Sequence, residues 1–220
     1  AAAGAPATSL TMEVTQLAKA QSTASTAVAS GTGVGTGSLT IELGSWGAGS
    51  FTPGAAAPVS VTINAGEDTL AEIAAKINNA DAGVSATVLK DASGERLLLR
   101  SKATGQENGF RITASDDDGN ATDASGLSRL SFDGVSATGT SQTQAGQNAL
   151  ATVNGVSITS ASNRLSDTLP GMTIQLSQVT TQPVEIDVST DLEAIRTNVK
   201  TFVDAYNALA SNLATVTKYD

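Results

Sequence analysis

Cysteine and histidine are both absent from the 220 residues. Without histidine there is no imidazole base, no proton relay and no histidine-based zinc site. Without cysteine there is no thiol nucleophile and no disulfide, which suits a cytosolic protein and equally one exported unfolded through a narrow channel. Aromatic residues make up only 3% of the chain, so few rings are available to stack on sugars or bases. A hydrophobic fraction of 40% still supports a folded core, but much of it is alanine, which buries little area. Any core therefore rests on valine, leucine and isoleucine. Basic residues are scarce too: 12 against 21 acidic ones, a net charge of -9. Such a surface repels phosphate backbones and argues against nucleic-acid binding. There is no apolar run of transmembrane length and no signal peptide, so no membrane insertion is expected. The start at Ala1-Ala2-Ala3-Gly4 reads as the middle of a longer protein.

The strongest pattern present is at the other end. Leu192, Ile195, Val199, Phe202, Tyr206, Leu209, Leu213 and Val216 recur at alternating steps of three and four. That is the seam spacing of a helix packed lengthwise on another helix. Thr190 followed by Glu193 predicts a capping box at its start, and the helix is expected over 190–220. Two packings suit the stripe: it covers a sheet of its own domain, or it leaves the β body and joins a partner helix. Eight seam positions span more length than a small β domain usually covers, which favours the second.

The rest of the chain reads as short strands separated by Gly, Ser and Thr. Leu10, Met12 and Val14 alternate with polar residues, as do Leu39, Ile41 and Leu43. Residues 19–38 read as loop, and 44–58, with Trp46 and two prolines, as a long surface loop or boundary. Val59, Val61 and Ile63 form a strand, and Thr69 and Glu72 cap a short helix with Leu70, Ile73 and Ile77 on its buried face. Hairpin strands follow at 84–88 and 97–99, then a strand from Phe110, giving β-α-β-β-β over 59–114. A short strand is expected at 130–132. Asn154-Gly155 predicts a type I′ hairpin, and alternating strands follow at 172–176 and 184–188. The fold class expected is mainly β with α+β elements: two small antiparallel β-rich domains, one inserted in the other, plus a long C-terminal helix. The pattern groups 8–43 with 149–189 and treats 59–145 as the insert.

Candidate chemistry is thin. The glycine run from Gly31 to Gly37 misses both dinucleotide and Walker spacing and reads as a connection. Asp116, Asp118 and Asn120 open like a calcium loop, but Ala121 and Leu127 stand where glycine and a bidentate glutamate belong. No Gly-x-Ser-x-Gly elbow occurs. Paired carboxylates for glycoside hydrolysis would be set by the fold, and the scarcity of stacking rings weighs against them. No enzyme, cofactor or metal site is expected.

Several blocks carry a resemblance. Val14-Thr15-Gln16-Leu17-Ala18-Lys19-Ala20-Gln21 resembles the early strand of the flagellar hook-associated protein 2 family. Thr69 to Ile73, Ile77-Asn78, Ala82 to Ala86, Leu97 to Leu99, Ser101-Lys102 and Thr104-Gly105 resemble the repeat shared by hook and filament proteins. Ala161-Ser162-Asn163-Arg164, Leu169-Pro170-Gly171-Met172 and Phe202 to Asn207 are similar to the family's carboxy-terminal pattern. The resemblance implies a subunit that self-associates into a ring at the tip of the bacterial flagellum, outside the cell, and retains exported flagellin. It also implies contact with junction proteins, with an export chaperone through regions outside this chain, and in some members with host mucin. A hook-filament junction or lattice component, or a surface adhesin, is the alternative. None of the matched residues is catalytic.

Overall fold

The computed structural model describes residues 7–134, 139–189 and 192–218. Strands are numbered along the chain. The first sheet is antiparallel and consists of β1 (Thr8–Gln16), β10 (Ala149–Val153), β11 (Val156–Ser160) and β14 (Val184–Val188), in the order β11-β10-β1-β14. Alternation in β1 turns Leu10, Met12 and Val14 inward, where all three are buried. The hairpin of β12 (Arg164–Leu169) and β13 (Met172–Gln175) closes over that face, adding Leu165 and Met172, with Leu176 beyond. At the β10–β11 turn Asn154 and Gly155 have φ of 49° and 81°, the two positive values a type I′ turn requires. The Asn154 side chain also accepts a hydrogen bond from the Thr11 amide at 2.8 Å, pinning the turn to β1.

The rest of the fold contains β2 (Ser22–Ser25), β3 (Gly37–Gly47), β4 (Ser50–Pro53), β5 (Val59–Ile63), and α1 (Leu70–Ala80). It continues with β6 (Val84–Asp91), β7 (Gly94–Ser101), β8 (Gly109–Asp116) and β9 (Thr140–Gln144). One sheet runs β6-β7-β2-β9; in the other, β3 pairs with β4 and β5 on one side and with β8 on the other. Thr69 caps α1 as the sequence predicts: its hydroxyl accepts from the Glu72 amide at 3.4 Å, and its own amide reaches back to the Glu72 carboxylate at 3.3 Å. The face of Leu70, Ile73, Ala74 and Ile77 is buried. It shares a core with Leu39, Ile41, Ile63, Leu97, Phe110 and Ile112, each no more than 1% exposed.

The chain departs from its sequence pattern in four places. Ser22–Ser25 is a strand between β7 and β9, although it carries no large apolar side chain. Its inward residues are polar, and the Ser25 hydroxyl accepts from the Leu97 amide at 2.9 Å instead of packing. In 44–58, β3 continues to Gly47 and returns as β4, held by Trp46 and Phe51 at 5.1 Å. Around residue 130 a 3₁₀ turn at Leu127–Leu130 and a single Ile112–Phe132 bridge stand where a strand is expected. Within 8–43, only Thr8–Gln16 hydrogen-bonds to strands of 149–189. Ser22–Ser25 pairs with β7 and β9, and Gly37–Gly47 pairs with β5 and β8, burying Leu39 and Ile41.

Candidate assembly helix

Helix α2 (Leu192–Val216) follows β14 after a three-residue gap. Its 25 residues give a length of about 37 Å. Every side chain described from Glu193 to Lys218 is exposed. Phe202 is 72% exposed, Tyr206 63% and Val216 83%, and Ile195, Val199, Leu209 and Leu213 are each about half exposed. Thr190, the expected cap, lies outside the described residues, and so does the side chain of Leu192. Of the two packings open to the stripe, covering a sheet of its own domain is not the one adopted. The buried face of the first sheet is occupied by the β12–β13 hairpin.

At 100° per residue the seam positions fall on one side of α2. Glu193, Arg196, Lys200 and Asp204 fall on the other, where Arg196–Glu193 pairs at 3.0 Å and Lys200–Asp204 at 2.6 Å. These exposed pairs contribute only tenths of a kcal/mol, about 0.3–0.5 each. They keep charge away from the apolar face, which is their larger effect. Val203, 45% exposed, borders the same face and was hidden in the pattern by its neighbour Phe202. Its spacing of four from Val199 was the available signal.

The other candidates hold no chemistry. The Gly31–Gly37 run is a clasped connection: the Val34 amide bonds Asp68 O at 2.9 Å, and an Asp68 carboxylate oxygen lies 3.4 Å from the Gly35 amide. A carboxylate thus stands where a phosphate would need to be. In the acidic loop, Asp116 accepts from the Ser128 amide at 2.7 Å, Asp118 from the Asn120 amide at 2.8 Å, and Asp123 from the Ser125 amide at 2.9 Å. The Ser125 amide, then the hydroxyls of Ser125 and Ser128, hold the Asp123 carboxyl below the usual range. The carboxylates brace the loop in successive Asx turns. Among the described residues no group of acidic side chains is arranged to hold a metal ion, and no helix is long and apolar enough to cross a membrane.

Trp46, Phe51, Phe110 and Phe132 form a single aromatic cluster, with Arg111 over the Phe51 ring at 4.9 Å. A cavity of about 400 Å³ opens beside it, lined by Trp46, Phe132, Gln21, Gln106 and Gln142 among others, without a charged side chain. It contains no nucleophile and no acid or base.

Comparison with known proteins places these features. The family pattern described as flagellar hook-associated protein 2 C-terminus matches residues 146–220, which include α2, and the flagellin hook IN motif matches 38–103. The crystal structure of the D2-D3 domains of the flagellar cap protein FliD from Escherichia coli aligns with a TM-score of 0.73 and 31% identity. That alignment covers 87% of this chain and 93% of that one. The chain belongs to the flagellar hook-associated protein 2 family. The E. coli D1-D2-D3 structure aligns over 100% of this chain and 59% of that one, with a TM-score of 0.84 and 33% identity. B-type flagellar hook-associated protein 2 of Pseudomonas aeruginosa is 38% identical over 160 residues, 68% of this chain and 33% of that protein. The E. coli K12 protein is 35% identical over 215 residues, 95% of this chain and 43% of that protein. The chain therefore spans a third to under half the length of these curated relatives.

Proposed function

We propose that this chain is part of a flagellar filament cap subunit, one that oligomerises at the filament tip, retains exported flagellin and promotes its polymerisation outside the cell. The observation that carries the reading is the exposed apolar stripe of α2, from Ile195 to Val216, in a chain of this family. A stripe of that length exposed to water is a surface kept for another helix. The role is mechanical: subunits joined through such helices hold the β domains over the tip, and polar, small-residue surfaces make contacts that break and re-form at low cost. We assign 8–16 with 149–188 to one domain and 22–144 to the other, inserted in it; expression of 22–144 alone as a folded unit tests that division. Contact with an export chaperone, through regions outside this chain, and with host mucin belong to the same proposal.

The test uses cells that lack their own cap protein and express the full-length protein carrying this chain. Flagellin lost to the medium as monomer is compared with flagellin retained in filaments. Restored retention is the expected result. Normal expression and export with no retention would sink the cap reading in favour of a hook-filament junction component or an adhesin.

A further inference from the structure

We infer that the junction between the two β domains is a locked joint, so that the domains move as one rigid body. Two chain segments cross between them, residues 17–21 going out and 145–148 returning. Two such crossings joined by little else form a hinge, and relative motion is the default for domains without a large apolar interface. Here the crossings are zipped together: the Lys19 amide bonds Gln147 O at 2.9 Å and the Gln147 amide bonds Lys19 O at 3.0 Å.

Each end of the zipped pair is then gripped by a side-chain amide. On the first domain, Asn163 accepts from the Ala18 amide at 2.7 Å and donates to Ala18 O at 2.9 Å. On the second, the fully buried Gln21 donates to Phe110 O at 2.8 Å and accepts from the Phe110 amide at 3.1 Å. Each amide satisfies both backbone groups of one residue, as a neighbouring strand would, and so fixes position along two directions at once. Two further straps brace the joint, one running directly from domain to domain and one from the second domain to the returning crossing. The Thr104 hydroxyl donates to Ala161 O at 2.7 Å, and the Gln106 amide donates to Asn148 Oδ1 at 2.7 Å. Beneath them the backbones nearly touch: a Cβ on Gly105 would lie 2.8 Å from Ala161 Cβ.

No charged side chain takes part in any of these bonds. Neutral, partly buried hydrogen bonds are not screened by ions and do not titrate, so the lock holds across salt and pH.

The chain contains no cysteine, so spin labels attach only where they are placed. Ser157→Cys on β11 and Thr87→Cys on β6 are both exposed and report the distance between the domains. Pulsed electron paramagnetic resonance is expected to give a single narrow distance distribution, unchanged in molar salt. Asn163→Ala is expected to lose that single peak while circular dichroism is retained. Thr104→Val, which removes one hydroxyl from a half-exposed strap, covers the case in which Asn163→Ala does not fold and should broaden the same peak. A broad or multiple distribution in the labelled chain without further change would overturn the lock. A narrow peak in both folded variants would overturn its assignment to these bonds.

Discussion

Phe202 and Ile73 have opposite surroundings, and one experiment on both separates assembly from folding. Phe202 is 72% exposed in the middle of α2, whereas Ile73 is fully buried in the larger core. Truncating a buried isoleucine to alanine leaves a cavity and costs about 2–5 kcal/mol of stability. Ile73→Ala should therefore lower the thermal midpoint clearly. Phe202→Ala removes little that the folded chain uses and should change stability by less than about 0.5 kcal/mol. Its effect belongs to the assembled state. Full burial of a phenylalanine side chain is worth about 1.5–3 kcal/mol, and most of that surface is still open here, so about 2 kcal/mol per copy is lost. That corresponds to a weakening of about 30-fold in the dissociation constant. Sedimentation of the full-length protein reads the association, and thermal melts of this chain read the fold. Equal melting losses for the two variants, or an unchanged association for Phe202→Ala, would refute the assignment of α2 to a partner.

Other perturbations follow from single sites. Thr69→Ala removes the cap of α1 and should cost about 1 kcal/mol in thermal or denaturant melts. Gly155→Ala meets no neighbouring atom, so it bears only the strain of φ +81°, about 1–2 kcal/mol. Gly37→Ala should cost more, about 3 kcal/mol, because at φ +136° its Cβ would lie 2.1 Å from Ser115 O and force β3 from β8. The Lys90 ammonium, then the Ser30 hydroxyl, hold the Glu95 carboxyl below its ordinary 4.5. A depressed folded pKa gives stability that is present above the unfolded value and lost as pH falls through the folded one. Glu95→Gln should therefore flatten the acid limb of the stability curve below about pH 4.5, and acid titration of both proteins checks it.

What the sequence showed depended on where each element keeps its stabilising groups. β1, α1 and α2 bury or present their own apolar side chains at a fixed period, so Leu10–Val14, Leu70–Ile77 and Ile195–Val216 could be read directly. The Asn154-Gly155 turn was legible because its backbone demands those residue types. β2 was not, since Thr23 and Ser25 are buried among groups supplied by β7 and β9. The same holds for β4, whose Phe51 has meaning only beside Trp46. The grouping of 8–43 with 149–189 could not be decided from alternation, because Leu39 and Ile41 alternate in the same way whichever sheet receives them, and β3 pairs with β5 and β8. Val203 was missed because it borders the seam without falling on its strict three-four step.

Strand β1 also governs the order in which the chain folds. Leu10 lies opposite Ile186, and Met12 opposite Val153, so its ladder joins residues far apart in the sequence. β6 and β7 pair from Asp91 with Gly94 outward, a local hairpin that closes without waiting for any later segment. Long loops are slow to close, and distant pairings form after near ones. Pulse-labelling hydrogen exchange should find 84–101 protected before 8–16; the reverse order would contradict this. On this order the sheet that precedes α2, which joins residues 8–16 to 149–188, is the last part to close.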